Sequence, residues 1–170
     1  MITLVRIDNR LVHGQVIEGW LPHLKIKRVL VLDGDAAQNP LARASMGLAM
    51  PRSVDLKLVS DTGAQAQGDL AEAARDAVPT LVLFRDVSGA FEAAQHGLKL
   101  SRLNLGNIHF KDGRHPITAS VFLDGEELRE LGALAQAGVQ VEARTLPTEP
   151  SVGLAEIEAR FQQVPGGPRA

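Results

Sequence analysis

The chain contains no cysteine in its 170 residues. That removes disulfides, thiolate metal sites and cysteine nucleophiles from consideration. It also lacks a long apolar run. The richest stretches, such as Leu81-Val82-Leu83-Phe84, are far below the roughly 20 residues needed to cross a bilayer. No excess of one charge is present: 18 Lys plus Arg against 20 Asp plus Glu leave a net charge of -2. Such a balance gives no general grip on nucleic acid or on an anionic membrane, so neither partner is expected. No Gly-x-Gly-x-x-Gly and no phosphate-loop lysine occurs, so dinucleotide or ATP binding lacks its usual sequence sign, and no cofactor is expected. The start of the chain, Met1-Ile2-Thr3-Leu4-Val5-Arg6, reads as a strand and not as a signal peptide. A cytoplasmic location is the expectation.

Short β-branched runs alternate with helical patterns. Strands are expected at Ile2–Ile7, Arg28–Leu32, Asp55–Val59, Thr80–Phe84, Arg102–Leu105, Thr118–Leu123 and Gln140–Thr145. A helix over Gly14–Leu21 follows the first strand, with Pro22 as its stop. Asn39 with Pro40 opens a helix reaching Met50. Further helices are expected over Ala64–Ala77, from Ser88 to Gln95, from Asp124 to Ala137, and from Ser151 to Gln163. Such alternation implies an α/β fold with an open, mostly parallel central sheet flanked by helices on both faces. Asp112-Gly113 reads as a turn, so part of the sheet is expected to be antiparallel. No repeat or linker divides the chain. One domain over 1–163 is expected, with a flexible tail over 164–170 containing two Pro and two Gly.

The informative segment runs from Val5 to Val16, where the first strand meets the first helix. In open α/β sheets, ligands bind outside the carboxyl ends of strands. A helix N-terminus there offers unpaired N–H groups and a positive dipole end to an anion. Arg10 adds a fork-shaped cation that matches phosphate oxygens. His13 adds a neutral ring that is nucleophilic near pH 7. Gly14 lets the backbone approach a tetrahedral group. Asp8 is the local acid able to orient the ring. From spacing alone a blander reading stays open, in which Asp8 caps the helix, Arg10 pairs with a surface acid and His13 is a satisfied loop residue.

The stretch Arg6-Ile7-Asp8-Asn9-Arg10-Leu11-Val12-His13-Gly14-Gln15-Val16, followed by Trp20, resembles the N-terminal signature of EIIB subunits in the mannose/fructose/sorbose phosphotransferase family. The resemblance extends through Val31–Pro40, Ala49-Met50-Pro51, Asn104-Leu105-Gly106-Asn107, and Leu134 to Pro147. It implies a central sheet flanked by helices. It implies a transferase relay in which a phospho-EIIA protein donates to the EIIB histidine. The group then passes to a sugar entering through the membrane subunits EIIC and EIID. Carried over by position, the phosphorylated residue is His13. The loop Asp8–Gln15 then wraps the phosphate, with Arg10, Gly14 and Gln15 binding it and Asp8 and Asn9 in support. Two departures stand out: Gly34 separates Asp33 from Asp35, and Asn107 replaces a glycine. A regulatory carrier without a sugar acceptor, and a non-catalytic anion-binding module, remain as alternatives.

Other residues read as structural. His109 and His115 flank Lys111-Asp112-Gly113-Arg114, which reads as a solvated turn with no metal. His23 and His96 read as helix-end residues. Asp33 and Asp35 read as a turn. Asp86 and Ser60-Asp61 lie on the active face but read as caps. Trp20 reads as packing. Leu11 and Val12 are either docking contacts or anchors of the loop.

Overall fold

A computed structural model describes residues 1–59 and 64–163. The readings of Ser60-Asp61 and of the 164–170 tail fall outside the described residues. The elements are β1 (Ile2–Asp8), a π-helical stretch (Gln15–Trp20) running into α1 (Leu21–His23), β2 (Arg28–Leu32), α2 (Gly34–Gln38), α3 (Pro40–Ala49), β3 (Asp55–Val59), α4 (Ala64–Arg75), β4 (Thr80–Phe84) and α5 (Val87–Gln95). Then come β5 (Arg102–Asn107), β6 (His115–Pro116), β7 (Phe122–Leu123), α6 (Gly125–Gln136), β8 (Gln140–Ala143), β9 (Val152–Gly153) and α7 (Leu154–Gln162).

Seven strands form one sheet in the order β3-β2-β4-β1-β5-β8-β9. All pairings in it are parallel except β8 with β9. A separate antiparallel ribbon joins β6 to β7. β1 and β4 are central, and both are buried on both faces, which explains their near-continuous apolar runs. One core layer joins Val5, Ile7, Val82 and Phe84 to Leu70, Ala90, Leu131 and Ile157 of α4 to α7. The opposite layer joins Leu4, Leu81 and Val31 to Val16, Trp20 and Leu21. After β1 the chain leaves on the second face, whereas α5 after β4 packs on the first. The divergence makes a topological switch point at the carboxyl ends of β1 and β4, where open sheets hold ligands.

Several boundaries differ from the sequence reading, each for a local reason. Pro22 does not stop the first helix; it sits in the first turn of α1, where its missing N–H is tolerated. The turn closes instead at Lys25, with φ of 53° and the Ile26 N–H bonded to the Leu21 carbonyl at 2.9 Å. Asp86, not Ser88, caps α5, accepting from the Gly89 N–H at 2.9 Å. The segment Asp33–Gln38 is a short helix capped by Asp33, which accepts from Ala36 N–H at 2.7 Å. Its Asp33 also pairs with Arg85, which satisfies that carboxylate. Ser151 does not open the last helix, because Val152 pairs with Ala143 first. Of the expected Thr118–Leu123 strand, Phe122–Leu123 pairs with His115–Pro116 and Val121 makes an isolated parallel bridge to Ile108. The Asp124 cap is as expected and forms a reciprocal box with Glu127.

Candidate active site

β1 ends in a charge buried where apolar residues are the rule. Arg6 and Asp8, on the same side of the central strand, are both 0% exposed. Two such groups are tolerated only when paired and hydrogen-bonded. The Arg6 guanidinium donates to Asp8 Oδ2 at 2.8 Å, to Asn104 Oδ1 and to the Arg144 carbonyl at 3.3 Å. Its face lies 5.2 Å from the Trp20 ring centroid, a cation–π distance. Arg144 stands 5.3 Å from the same ring, and the indole N–H donates to the Thr145 carbonyl at 2.9 Å. Trp20 is thus a core residue that seats two guanidinium groups.

Gly106 makes room for Arg6. A Cβ there would collide with the guanidinium carbon and both its terminal nitrogens. The β1–β5 register shifts between Ile7 and Asp8, so that Asp8 faces Asn107. Such a bulge re-aims side chains next to a site.

Asp8 then turns the chain. Its carbonyl accepts from the Leu11 N–H at 2.9 Å, and its Oδ1 accepts from the Arg10 N–H at 3.1 Å. Leu11 is held at φ 55°, a left-handed conformation that costs a leucine about 1–2 kcal/mol. Core burial holds it there: Leu11 is 1% exposed and Val12 is 8% exposed. Of the two roles considered for these residues, the structure gives the anchor. Asn9 ties the loop to its neighbours, donating to the Arg85 carbonyl at 2.6 Å and accepting from the His109 N–H.

The geometry brings His13 onto the buried acid. His13 Nε2 lies 2.9 Å from Asp8 Oδ2, the oxygen that also takes Arg6. Since a carboxylate only accepts, the proton is assigned to Nε2, and Nδ1 keeps its lone pair. Burial by itself would raise the Asp8 carboxyl. The His13 hydrogen bond and the Arg6 charge outweigh it and hold the group below the usual carboxylate range. The sign for stability follows. A depressed native value makes the contribution complete above about pH 4 and removes it as pH falls through that native value. An acid titration followed by circular dichroism should therefore show the loss of this contribution only below pH 4.

Around the ring lie the remaining expected residues. The N–H groups of His13, Gly14 and Gln15 have no hydrogen-bond partner among the described residues. Gly14 has φ of −49°, and a Cβ on it would meet nothing within 4 Å. The glycine therefore answers no packing need and leaves open space over the turn. Arg10 sits with its Nε 3.7 Å from Asp8 Oδ1 and donates to Gln15 Oε1. A cleft of about 540 Å³ opens beside Gly14 and Gln15, walled by Leu146 and Pro147. A second cavity of about 730 Å³, between α4 and α5, touches no residue of the loop.

Asp8, Arg10, His13, Gly14 and Gln15 lie together in one loop, Asn9 points away to Arg85 and His109, and Asp86 and the Asp33–Arg85 pair serve as cap and ion pair. The sequence reading missed the support: Arg6, Asn104, Gly106 and Arg144. The available signal was a charge or amide interrupting an apolar strand, as in Leu4-Val5-Arg6-Ile7 and Leu103-Asn104-Leu105. Among the described residues no group of three or more His, Asp or Glu could hold a metal. Nor, among them, is any helix long and apolar enough to cross a membrane.

Comparison with known proteins identifies the family and the fold. Residues 2–164 match the family described as the sorbose subfamily IIB component of the phosphotransferase system. The chain is 27% identical over 166 residues to the sorbose-specific EIIB component of Lacticaseibacillus casei, covering 98% of each. It is 22% identical to the mannose-specific EIIAB component of Escherichia coli, covering 96% of this chain and 50% of that one. The crystal structure of the IIBSor domain of the sorbose permease from Klebsiella pneumoniae superposes with a TM-score of 0.82 at 25% identity, over 94% of this chain and 97% of that one. The protein is a single α/β phosphotransferase-type domain. The chain belongs to the sorbose-subfamily IIB components of the phosphotransferase system, with a transferase role in sugar transport.

Proposed function

We propose that His13 is a transient phosphoryl carrier whose Nδ1 accepts the group from the phosphohistidine of an EIIA protein and passes it to a sugar at EIIC and EIID membrane subunits. The observation that carries this reading is the 2.9 Å contact from His13 Nε2 to Asp8 Oδ2. It leaves Nδ1 as the nucleophilic nitrogen. In the step, the N–P bond of the donor breaks as the Nδ1–P bond forms, and the donor nitrogen recovers the electron pair. The positive charge gained by the His13 ring is shared with Nε2–H and balanced by Asp8. Arg10 and the unpartnered N–H groups of His13, Gly14 and Gln15 stabilise the equatorial oxygens, which carry the charge in phosphoryl transfer. Gln15 holds Arg10 in place, and Asn9 holds the loop. No metal or cofactor enters the step. The reading places the protein in the cytoplasm, where EIIA is charged. A name such as EIIAB, with both functions in one chain, supports EIIA as the donor.

Intact-mass measurement tests it, after incubation with phosphoenolpyruvate, enzyme I, HPr and an EIIA protein, and separately with potassium phosphoramidate. One acid-labile phosphoryl addition is expected in the wild type and none in His13→Ala, whose lost ring, 15% exposed and hydrogen-bonded to the buried Asp8, should cost about 1–3 kcal/mol of stability and leave the fold intact. An addition that survives His13→Ala would sink the proposal. Gly14→Ala gives a second check: the fold should hold or gain up to about 1 kcal/mol, while phosphoryl acceptance slows because the methyl occupies the space over the turn.

A further inference from the structure

The segment from Ile108 to Val121 returns beside the catalytic loop and is unusually well fastened for a surface excursion. The Ile108 N–H bonds to the Ser120 carbonyl at 2.8 Å, and the Phe122 N–H to the Ile108 carbonyl at 3.0 Å. Arg114 is locked against Glu127 of α6 at 2.6 Å, with both side chains 7% exposed. The same guanidinium donates to the His109 carbonyl at 2.8 Å. Asn107, which stands where the resembling family has glycine, holds the His109 ring at 2.9 Å. The His109 N–H in turn reaches Asn9 of the catalytic loop.

These bonds present one large apolar side chain to solvent. Phe110 is 61% exposed, braced edge-on against Phe122 at 5.8 Å between centroids. Next to it Lys111 forms no ion pair among the described residues. A single exposed apolar residue is ordinary on a protein surface. A pre-ordered aromatic beside an unpaired cation, hydrogen-bonded through Asn9 to the loop that carries His13, is what an interface anchor requires. It buries apolar area with little ordering cost, and aromatic anchors dominate interface energies.

We propose that Phe110 and Lys111 form the docking anchor for the phosphorylated EIIA donor, an inference that rests on the carrier reading of His13. The partner's chemistry follows from charge. A phosphohistidine delivered to His13 brings about −1.5 to −2 charges towards Arg10 and Lys111, so the anionic donor is attracted in its charged state and held less firmly once discharged. Phe110 supplies the apolar contact that does not depend on that charge.

Single-turnover transfer from a sorbose-type EIIA protein, charged by phosphoenolpyruvate, enzyme I and HPr and varied in excess over this chain, tests this, with KM read as the half-saturating phospho-EIIA concentration and kcat as the limiting rate, beside labelling by potassium phosphoramidate, which needs no protein surface. Phe110→Ala and Lys111→Glu should each raise the KM for phospho-EIIA about ten-fold or more, with kcat and phosphoramidate labelling unchanged. The Lys111→Glu effect should shrink at high salt. Leu48→Ala serves as the control, since Leu48 is 88% exposed near the end of α3, which runs back from the site towards the start of β3. An unchanged KM in Phe110→Ala, or an equal rise in Leu48→Ala, would overturn the docking anchor alone. A wild type labelled by phosphoramidate but not by phospho-EIIA would remove both the donor and its anchor. Failure of phosphoramidate labelling would strike the carrier reading itself.

Discussion

A Gly106→Ala variant should lose about 3–5 kcal/mol of folding free energy, although it adds a single methyl group to a strand. The magnitude comes from what the methyl displaces. Overpacking a core usually costs about 1–3 kcal/mol, because side chains can shift. Here the displaced group is the guanidinium of Arg6, which is fully buried and has nowhere to move. Pushing it away breaks the ion pair with Asp8, and breaking a buried pair costs about 3–5 kcal/mol. Denaturant unfolding should show the fall in midpoint. The Gly14→Ala variant, with open space around its added methyl, serves as the comparison. A Gly106→Ala protein within 1 kcal/mol of wild type would mean that the Arg6 cavity is far softer than its geometry indicates.

The second large effect falls on chemistry as well as stability. Asp8→Asn keeps the size of the side chain but removes the charge that Arg6 and His13 share. An amide can turn its N–H towards His13 Nε2, which favours the tautomer with its proton on Nδ1. The lone pair is then on the wrong nitrogen for attack. The comparable change of a histidine's orienting acid in hydrolytic triads indicates a loss of roughly 10²–10⁴-fold in rate. The expected result is phosphoramidate labelling slowed by that factor, measured at low temperature with circular dichroism confirming a folded chain. A further cost of about 3–5 kcal/mol is expected from the uncompensated Arg6. A merely structural role for Asp8 would lower stability and leave the labelling rate of the folded fraction untouched.

The candidate loop around His13 was legible in the sequence because it is contiguous. Asp8, Arg10, His13 and Gly14 lie within seven residues, and a strand end meeting a helix start puts them together whatever the rest of the chain does. The cradle beneath was not legible for the opposite reason. Arg6 meets Asn104 across 98 positions and Arg144 across 138, and no local period encodes such a meeting. The strands themselves were readable from their β-branched runs, since burial on both faces of β1 and β4 demands them. The helix boundaries were readable only to within a turn. Asp86 and Ser88 are both good caps two residues apart, and the hydrogen bond to Gly89 decides between them. Pro22 looked like a stop because proline usually is one, yet its place in a first turn makes it harmless. The resemblance noted an Asn-x-Gly pattern at Asn104 and Gly106 without a reason for it. The reason is now physical: one accepts from Arg6 and the other leaves space for it.

Trp20 is the only tryptophan in the chain, and the guanidinium groups of Arg6 and Arg144 stand 5.2 and 5.3 Å from its ring centroid. Arg6 touches the acid that touches His13. Indole emission shifts with nearby charge, so the protein carries its own optical gauge of the proposed phosphate site, with no competing fluorophore of its kind. If His13 carries the phosphoryl group as proposed, its loading and unloading should be followed continuously in the unlabelled protein, at stopped-flow speed, instead of being sampled after quenching an acid-labile product.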